Sequence, residues 1–153
     1  MQTRLNLVSG CGDRELDALR QTLDDFDNIG GLDDLIAVLH GHARRGTRVD
    51  LLDAIGHSRA HGFLVIGTWI IDDSRQTAAT FMQLLRPALQ QIGVRTIRVL
   101  GCKTATPKRG RDALHTIARA TRCRVLGTKR FIGNRDYARI GFIAEDALVH
   151  VGG

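Results

Sequence analysis

The chain has 153 residues, 43% hydrophobic and 25% charged, which fits one globular domain over residues 1–153, large enough to bury a core. No apolar run reaches the length of about 18 residues that a membrane span needs, and no basic segment leads into a long apolar one near the N-terminus. We therefore expect a cytoplasmic protein with no membrane association. Three cysteines are too few for a disulfide scaffold and predict reduced thiols.

The formal net charge of +6 is unevenly distributed. Residues 1–76 carry 8 Lys and Arg against 12 Asp and Glu, a balance of −4, whereas residues 77–153 carry 14 against 4, a balance of +10. The basic C-terminal half favours an acidic partner, which could be nucleic acid, polyphosphate or an acidic protein surface. A solvated basic face is the simpler interpretation of the same pattern.

The first 40 residues predict one strand and two helices. A strand over 4–8 ends in a glycine-rich turn, and Asp13 follows as the N-cap of a first helix. The apolar stripe of that helix is Leu16, Leu19, Leu23 and Phe26. A second helix follows two glycines, with Leu32, Leu35, Ile36 and Leu39 on one face.

Two later segments share one design, which is an apolar run, a glycine and then a reactive side chain. In residues 48–58 the run ends at Gly56 and His57 follows; in residues 94–105 it ends at Gly101 and Cys102 follows. The carboxyl ends of parallel strands meet at one edge of a sheet, where ligands and catalytic groups collect. We therefore expect His57 and Cys102, 45 residues apart (102 minus 57), to lie near each other.

The remaining segments predict a hairpin over 63–71, a helix over 76–92 disturbed by Pro87, a helix over 112–121, a short strand over 124–126 and a last strand pair within 139–151. In the 76–92 helix the predicted inward side chains are Met82, Leu85, Leu89 and Ile92.

The motifs H-S-R-A-H-G-F-L-V-I-G from His57 and V-L-G-C-K-T-A through Cys102 carry a family resemblance. With the element order around them, residues 48–128 resemble the caspase-like cysteine peptidase superfamily, which includes caspases, metacaspases, separase, gingipains and bacterial CHAT domains, and are most similar to the CHAT type. The resemblance implies an α/β three-layer sandwich with a mostly parallel central sheet and helices on both faces. Ser58 stands where the family usually has glycine.

The resemblance also implies a mechanism. Cys102 attacks a peptide carbonyl of a protein substrate, His57 assists the proton transfers, and the backbone N–H groups of Ser58 and Cys102 bind the oxyanion. Family members place a charged specificity residue just after the first strand, where Asp13 would favour Lys or Arg at the cleaved position and Arg14 an acidic residue. The alternative hypothesis is a catalytically weak caspase-fold module whose basic half binds an acidic partner.

Other motifs favour no further chemistry. Residues 56–60 resemble the nucleophile elbow of a serine hydrolase, but a hairpin follows where that elbow needs a helix. His40 and His42 lack companion ligands, and neither a nucleotide-binding loop nor a zinc pattern occurs, so we expect no cofactor and no metal. Several basic residues follow strand ends and are expected near the edge that carries Cys102: Lys103, Lys108, Arg109, Arg111, Lys129, Arg130 and Arg135.

Overall fold

The computed structural model describes residues 3–152, and strands supply its centre. In chain order the strands are β1 (Leu5–Ser9), β2 (Asp27–Ile29), β3 (Leu51–Ile55), β4 (His57–Ser58), β5 (Leu64–Ile66), β6 (Trp69–Ile71), β7 (Thr96–Leu100), β8 (Arg124–Thr128), β9 (Tyr137–Ala138), β10 (Gly141–Phe142) and β11 (Leu148–Gly152).

The helices follow the predicted order. They are α1 (Arg14–Thr22), α2 (Leu32–Arg44), α3 (Arg75–Ala79), α4 (Arg86–Ile92) and α5 (Lys108–Thr121), and a π-helical turn, Thr80–Leu85, joins α3 to α4. Asp13 caps α1 as predicted, accepting a hydrogen bond from the Leu16 N–H. No helix within residues 3–152 is long and apolar enough to cross a membrane.

Six strands form the central sheet in the order β2-β1-β3-β7-β8-β11. The first five are parallel and β11 runs antiparallel to β8. The predicted α/β class with a mostly parallel sheet is therefore confirmed. The chain moves from β1 outward to β2 and then returns to β3 on the other side of β1, so the carboxyl ends of β1 and β3 flank the crevice where ligands bind in open α/β sheets.

Helices cover both faces of this sheet. Along β3, Leu52 and Ala54 belong to one core cluster, together with leucines and isoleucines of α2, α4 and α5. Ile55 points to the other face, where it belongs to a second cluster with Leu16 and Leu19 of α1. This alternation is the period-two pattern of a strand buried on both sides, so the layers agree with a three-layer sandwich.

Three predicted details are wrong or incomplete. The strand β2 was not predicted, because only one of its three residues is apolar and buried. Met82 is 49% exposed while Phe81 is 5% exposed, since the π-helical turn inserts an extra residue and rotates the helix face. The last strands do not pair with each other, because β10 pairs with β9 and β11 joins the central sheet.

Candidate active site

The two predicted reactive strand ends lie side by side. β3 and β7 are neighbours in register, with Ile55 opposite Leu100, and the Gly56 N–H donates to the Leu100 carbonyl at 3.2 Å. His57 and Cys102 therefore leave the same edge of the sheet on adjacent strands.

The chain bends away from the sheet directly after Gly56. His57 begins the small antiparallel sheet β4-β5-β6, in which His57 is opposite Val65. A Cβ at Gly56 would collide with the Val65 carbonyl oxygen, so the close approach of this hairpin requires glycine here. The predicted hairpin is confirmed, with a two-residue turn at Gly67 and Thr68.

Cys102 lies in a turn that is fixed from β8. The amides of residues 103, 104 and 105 donate to Arg130 O, Thr128 Oγ1 and Thr128 O. The Thr128 hydroxyl donates to the Gly101 carbonyl at 2.5 Å, and Lys103 adopts a left-handed φ of 55°. Such a conformation costs a non-glycine residue free energy and persists only where the surroundings hold it, so the position of Cys102 is well defined.

His57 and Cys102 line one cleft, whose cavity volume is about 40 Å³. Its floor and walls are formed by the ends of β3 and β7, the first turns of α1 and the loop before β9. Cys102 is half-buried, and its Sγ lies 3.5 Å from both the nitrogen and the carbonyl oxygen of Ile132. Burial raises the pKa of Tyr137 in the cleft wall, so its phenol stays neutral.

Asp13 binds His57 as well as capping α1. Its Oδ1 accepts from the Leu16 N–H at 2.9 Å, while its Oδ2 lies 2.7 Å from His57 Nε2. Burial opposes ionisation of this carboxyl, but the hydrogen bonds from Leu16 and His57 outweigh it and hold the pKa of Asp13 below 3.8. An ionised carboxylate only accepts, so Nε2 carries a proton, and Nδ1 is the ring nitrogen that Asp13 leaves free.

The predicted oxyanion donors lie close to Gly101. The amide of Cys102 has no hydrogen-bond acceptor within residues 3–152. The Arg59 N–H donates to Phe63 across the hairpin, so by the alternation of an antiparallel pair the Ser58 N–H points away from β5. The Ser58 nitrogen lies 3.3 Å from the point that a Cβ on Gly101 would occupy. Cys102 is among the residues that line the cleft, whereas Ser58 is not.

The two predicted specificity residues, Asp13 and Arg14, have different surroundings. Both oxygens of Asp13 are engaged, and Arg14 is exposed in the first turn of α1 and is not among the cleft-lining residues. The charged side chain that lines the cleft beside His57 is Glu15, which has no ion-pair partner among the described residues. Glu15 and the Asp13–His57 contact were missed by the sequence analysis, although the position of Asp13 right after a strand end is a signal for both.

The basic residues expected at this edge are only partly free. Arg109 binds Asp73, Arg130 binds Asp136 and Asp146, and Lys108 binds Asp112. Within residues 3–152 the ion pairs leave four exposed cations of the predicted set without a carboxylate partner: Lys103, Arg111, Lys129 and Arg135. The cationic character of this edge is therefore smaller than the sequence indicates.

The other cysteines and histidines have ordinary surroundings. Cys123 is 3% exposed, and burial raises the pKa of its thiol. Cys11 is half-buried, with Sγ 3.4 Å from Ser9 Oγ. His42 is buried between Asp27 and Thr47, and within residues 3–152 no group of His, Cys, Asp and Glu side chains has the arrangement of a metal site.

Comparisons of the chain with protein-family models, with curated proteins and with solved structures found no match.

Proposed function

We propose that the protein is a cysteine endopeptidase of the caspase-like type, with Cys102 as the nucleophile, His57 as the acid–base group and Asp13 as the residue that orients His57. The observation that carries this proposal is the cleft that both His57 and Cys102 line, with Asp13 Oδ2 2.7 Å from His57 Nε2. Nucleophile, base and an orienting third group are the parts that covalent acyl transfer needs.

In the first half of the reaction, Nδ1 of His57 takes the thiol proton and Sγ of Cys102 attacks the carbonyl carbon of the scissile peptide. The carbonyl π-electron pair moves to oxygen, and the N–H groups of Ser58 and Cys102 stabilise the oxyanion. The intermediate collapses, the C–N bond breaks, and the imidazolium of His57 returns its proton to the departing amine. A thioester remains on Cys102.

In the second half, water attacks the thioester carbon and gives a proton to Nδ1 of His57. The C–S bond breaks, the carboxylic acid product leaves, and the imidazolium restores the thiol of Cys102. Asp13 keeps the proton on Nε2 throughout, because its ionised carboxylate is an acceptor only.

For the cleaved position, the charges in the cleft favour a basic residue. Glu15 is the free carboxylate among the lining side chains, whereas Arg14 lies outside the lining. A Lys or Arg side chain of the substrate at the mouth of the cleft would pair with Glu15, and an acidic one would be repelled.

The test is cleavage of a fluorogenic peptide mixture by the wild type, Cys102→Ala and His57→Ala, with Cys11→Ala as the matched cysteine control. The proposal expects activity in the wild type and in Cys11→Ala, and none in the two site variants. Activity that survives Cys102→Ala, or a wild type that cleaves nothing and forms no adduct at Cys102 with a peptidyl electrophile, would overturn it.

A further inference from the structure

The opposite edge of the central sheet carries a row of arginines that the proposed peptidase does not use. We define the amino-edge surface as the loops 44–50, 93–95 and 122–124, which precede β3, β7 and β8. All its cations are arginines, and all are exposed: Arg44, Arg45, Arg48, Arg95, Arg122 and Arg124.

The three loops form one continuous surface. The Arg124 N–H donates to the Arg95 carbonyl at 2.8 Å, and the Arg95 N–H donates to the Asp50 carbonyl at 2.8 Å. Arg48 Nη1 donates to Gln91 O, and Gln91 Nε2 donates to Ala43 O next to Arg44. The backbones of Arg95 and Arg124 are therefore adjacent at this edge of the sheet.

The positive charge of this surface is not neutralised within residues 3–152. None of its six arginines forms an ion pair there, whereas Arg109 and Arg130 at the carboxyl edge are both paired with aspartates. Asp50 is the one carboxylate in the three loops. Arg44, Arg45 and Arg122 stand at helix ends, where a cation interacts favourably with the helix dipole. Arg95 precedes β7 and Arg124 is the first residue of β8, so the helix dipole gives no reason for a cation at either position.

The chemistry of the surface fits a phosphate backbone better than a protein partner. The apolar side chains of these loops, Val49, Val94 and Cys123, are all buried, so the surface lacks the apolar centre that protein interfaces use. It also lacks aromatic side chains, which single-stranded nucleic acids need for base stacking. A duplex carries one charge about every 1.7 Å along its axis, and the planar guanidinium matches phosphate oxygens in a bidentate way.

From this geometry we propose that the amino-edge surface binds double-helical nucleic acid through its phosphates, without reading sequence. The arginines of this surface come from both halves of the chain. The proposed site therefore differs from the sequence-based hypothesis, in which the basic C-terminal half alone binds an acidic partner. It faces away from the Cys102 cleft, and binding here leaves the carboxyl edge of the sheet open.

The experiment is fluorescence anisotropy with labelled DNA and RNA duplexes of mixed sequence over a series of salt concentrations. The probe variant is Arg95→Ala with Arg124→Ala. The matched control is Arg59→Ala with Arg135→Ala, which removes the same charge from two exposed arginines at the carboxyl edge that form no ion pair within residues 3–152. We expect the probe variant to bind about 10-fold more weakly for each arginine removed. The slope of log K against log salt should flatten by about 0.9 for each DNA phosphate that the variant no longer neutralises.

Three results would overturn the proposal. They are no duplex binding by the wild type at low salt, equal weakening by the control pair, and equally tight binding of a polyglutamate peptide, which would point to an acidic protein instead. Both double variants should unfold at the same temperature as the wild type, which shows that weaker duplex binding does not come from a folding defect. Comparing the DNA with the RNA duplex decides which of the two is bound more tightly.

Discussion

His57 Nε2 and Asp13 Oδ2 lie 2.7 Å apart, although the two residues are 44 positions apart in the chain. Asp13 reaches the imidazole from the N-terminus of α1, where its other oxygen caps the helix. One carboxylate therefore ties a helix, a strand end and the proposed acid–base group together.

Asp13→Ser separates these two roles of Asp13. Serine is as good an N-cap as aspartate, so α1 keeps its cap, but the carboxylate acceptor of His57 is lost. We expect peptidase activity to fall by about 10-fold to 100-fold with little change in the denaturation midpoint. The control is Asp17→Ser, which removes an exposed carboxylate from the same helix. Equal activity losses in both variants would assign the effect to charge and not to His57.

Glu15→Gln tests the choice of substrate. If Glu15 pairs with a basic residue at the cleaved position, its loss lowers the preference for Arg over Asp peptides by about 10-fold, whereas Arg14→Gln leaves that preference unchanged. Parallel kcat/KM values for the two peptide series measure this ratio. A preference for acidic peptides that disappears in Arg14→Gln would instead make Arg14 the specificity residue.

Asp136 makes stability depend on pH in the acid range. Burial opposes ionisation of Asp136, but the Arg130 guanidinium and the Gly133 N–H hold its pKa below 3.8. A folded-state pKa below the unfolded value means that the stabilisation is present above about pH 3.9 and is lost as the pH falls through the folded-state pKa.

Asp136→Asn should therefore lower the free energy of unfolding at pH 7 and lose less of it between pH 5 and pH 2 than the wild type does. Urea denaturation at a series of pH values measures both effects. Asp146→Asn is the control, because Asp146 contacts the same Arg130 side chain from an exposed position. Parallel pH profiles of wild type and Asp136→Asn would contradict the assignment.

Removing one partner of the ion pair between Arg98 and Asp53 should lower the free energy of unfolding strongly. Arg98 donates twice to the fully buried Asp53, with both distances 2.6 Å, and Arg98 itself is 6% exposed. Asp53→Ala leaves the buried Arg98 uncompensated and also removes the partner of Arg4, whose Nη1 lies 3.3 Å from Asp53 Oδ2. Breaking such a buried pair costs about 3–5 kcal/mol. The double variant Asp53→Leu with Arg98→Met should cost less than the two single changes together. Urea denaturation of the wild type, the two single variants and the double variant measures the coupling free energy between the two residues. Additive losses of stability would contradict the predicted coupling.

The sequence predicts the parts of the site that depend on local chain geometry. An apolar run that ends in glycine marks a strand end, and this signal predicts the ends of β3 and β7 that precede His57 and Cys102. The glycines are required by contacts that sequence does not show, such as the approach of Val65 to Gly56. The two glycines alone were enough to predict that the chain bends after β3 and after β7.

Features that depend on how distant segments pack were not predictable in this way. The N-cap role of Asp13 was predicted from its neighbours, but its bond to His57 depends on where α1 lies relative to β3. The amino-edge arginines come from three separate loops, so summing charge over halves of the chain hid them. The Met82 side chain was wrongly predicted to point inward, because no residue pattern indicates the π-helical turn.

The most direct test of the proposed dyad is the rate of iodoacetamide alkylation at each cysteine, measured by mass spectrometry on the wild type and on His57→Ala. Cys11 is the matched reference because it is also half-buried, and Cys123 is the buried one. We expect Cys102 to react at least about 10-fold faster than Cys11 at pH 7, and to lose that advantage without His57. Equal rates at Cys102 and Cys11, or a Cys102 rate that His57→Ala leaves unchanged, would contradict the proposed dyad.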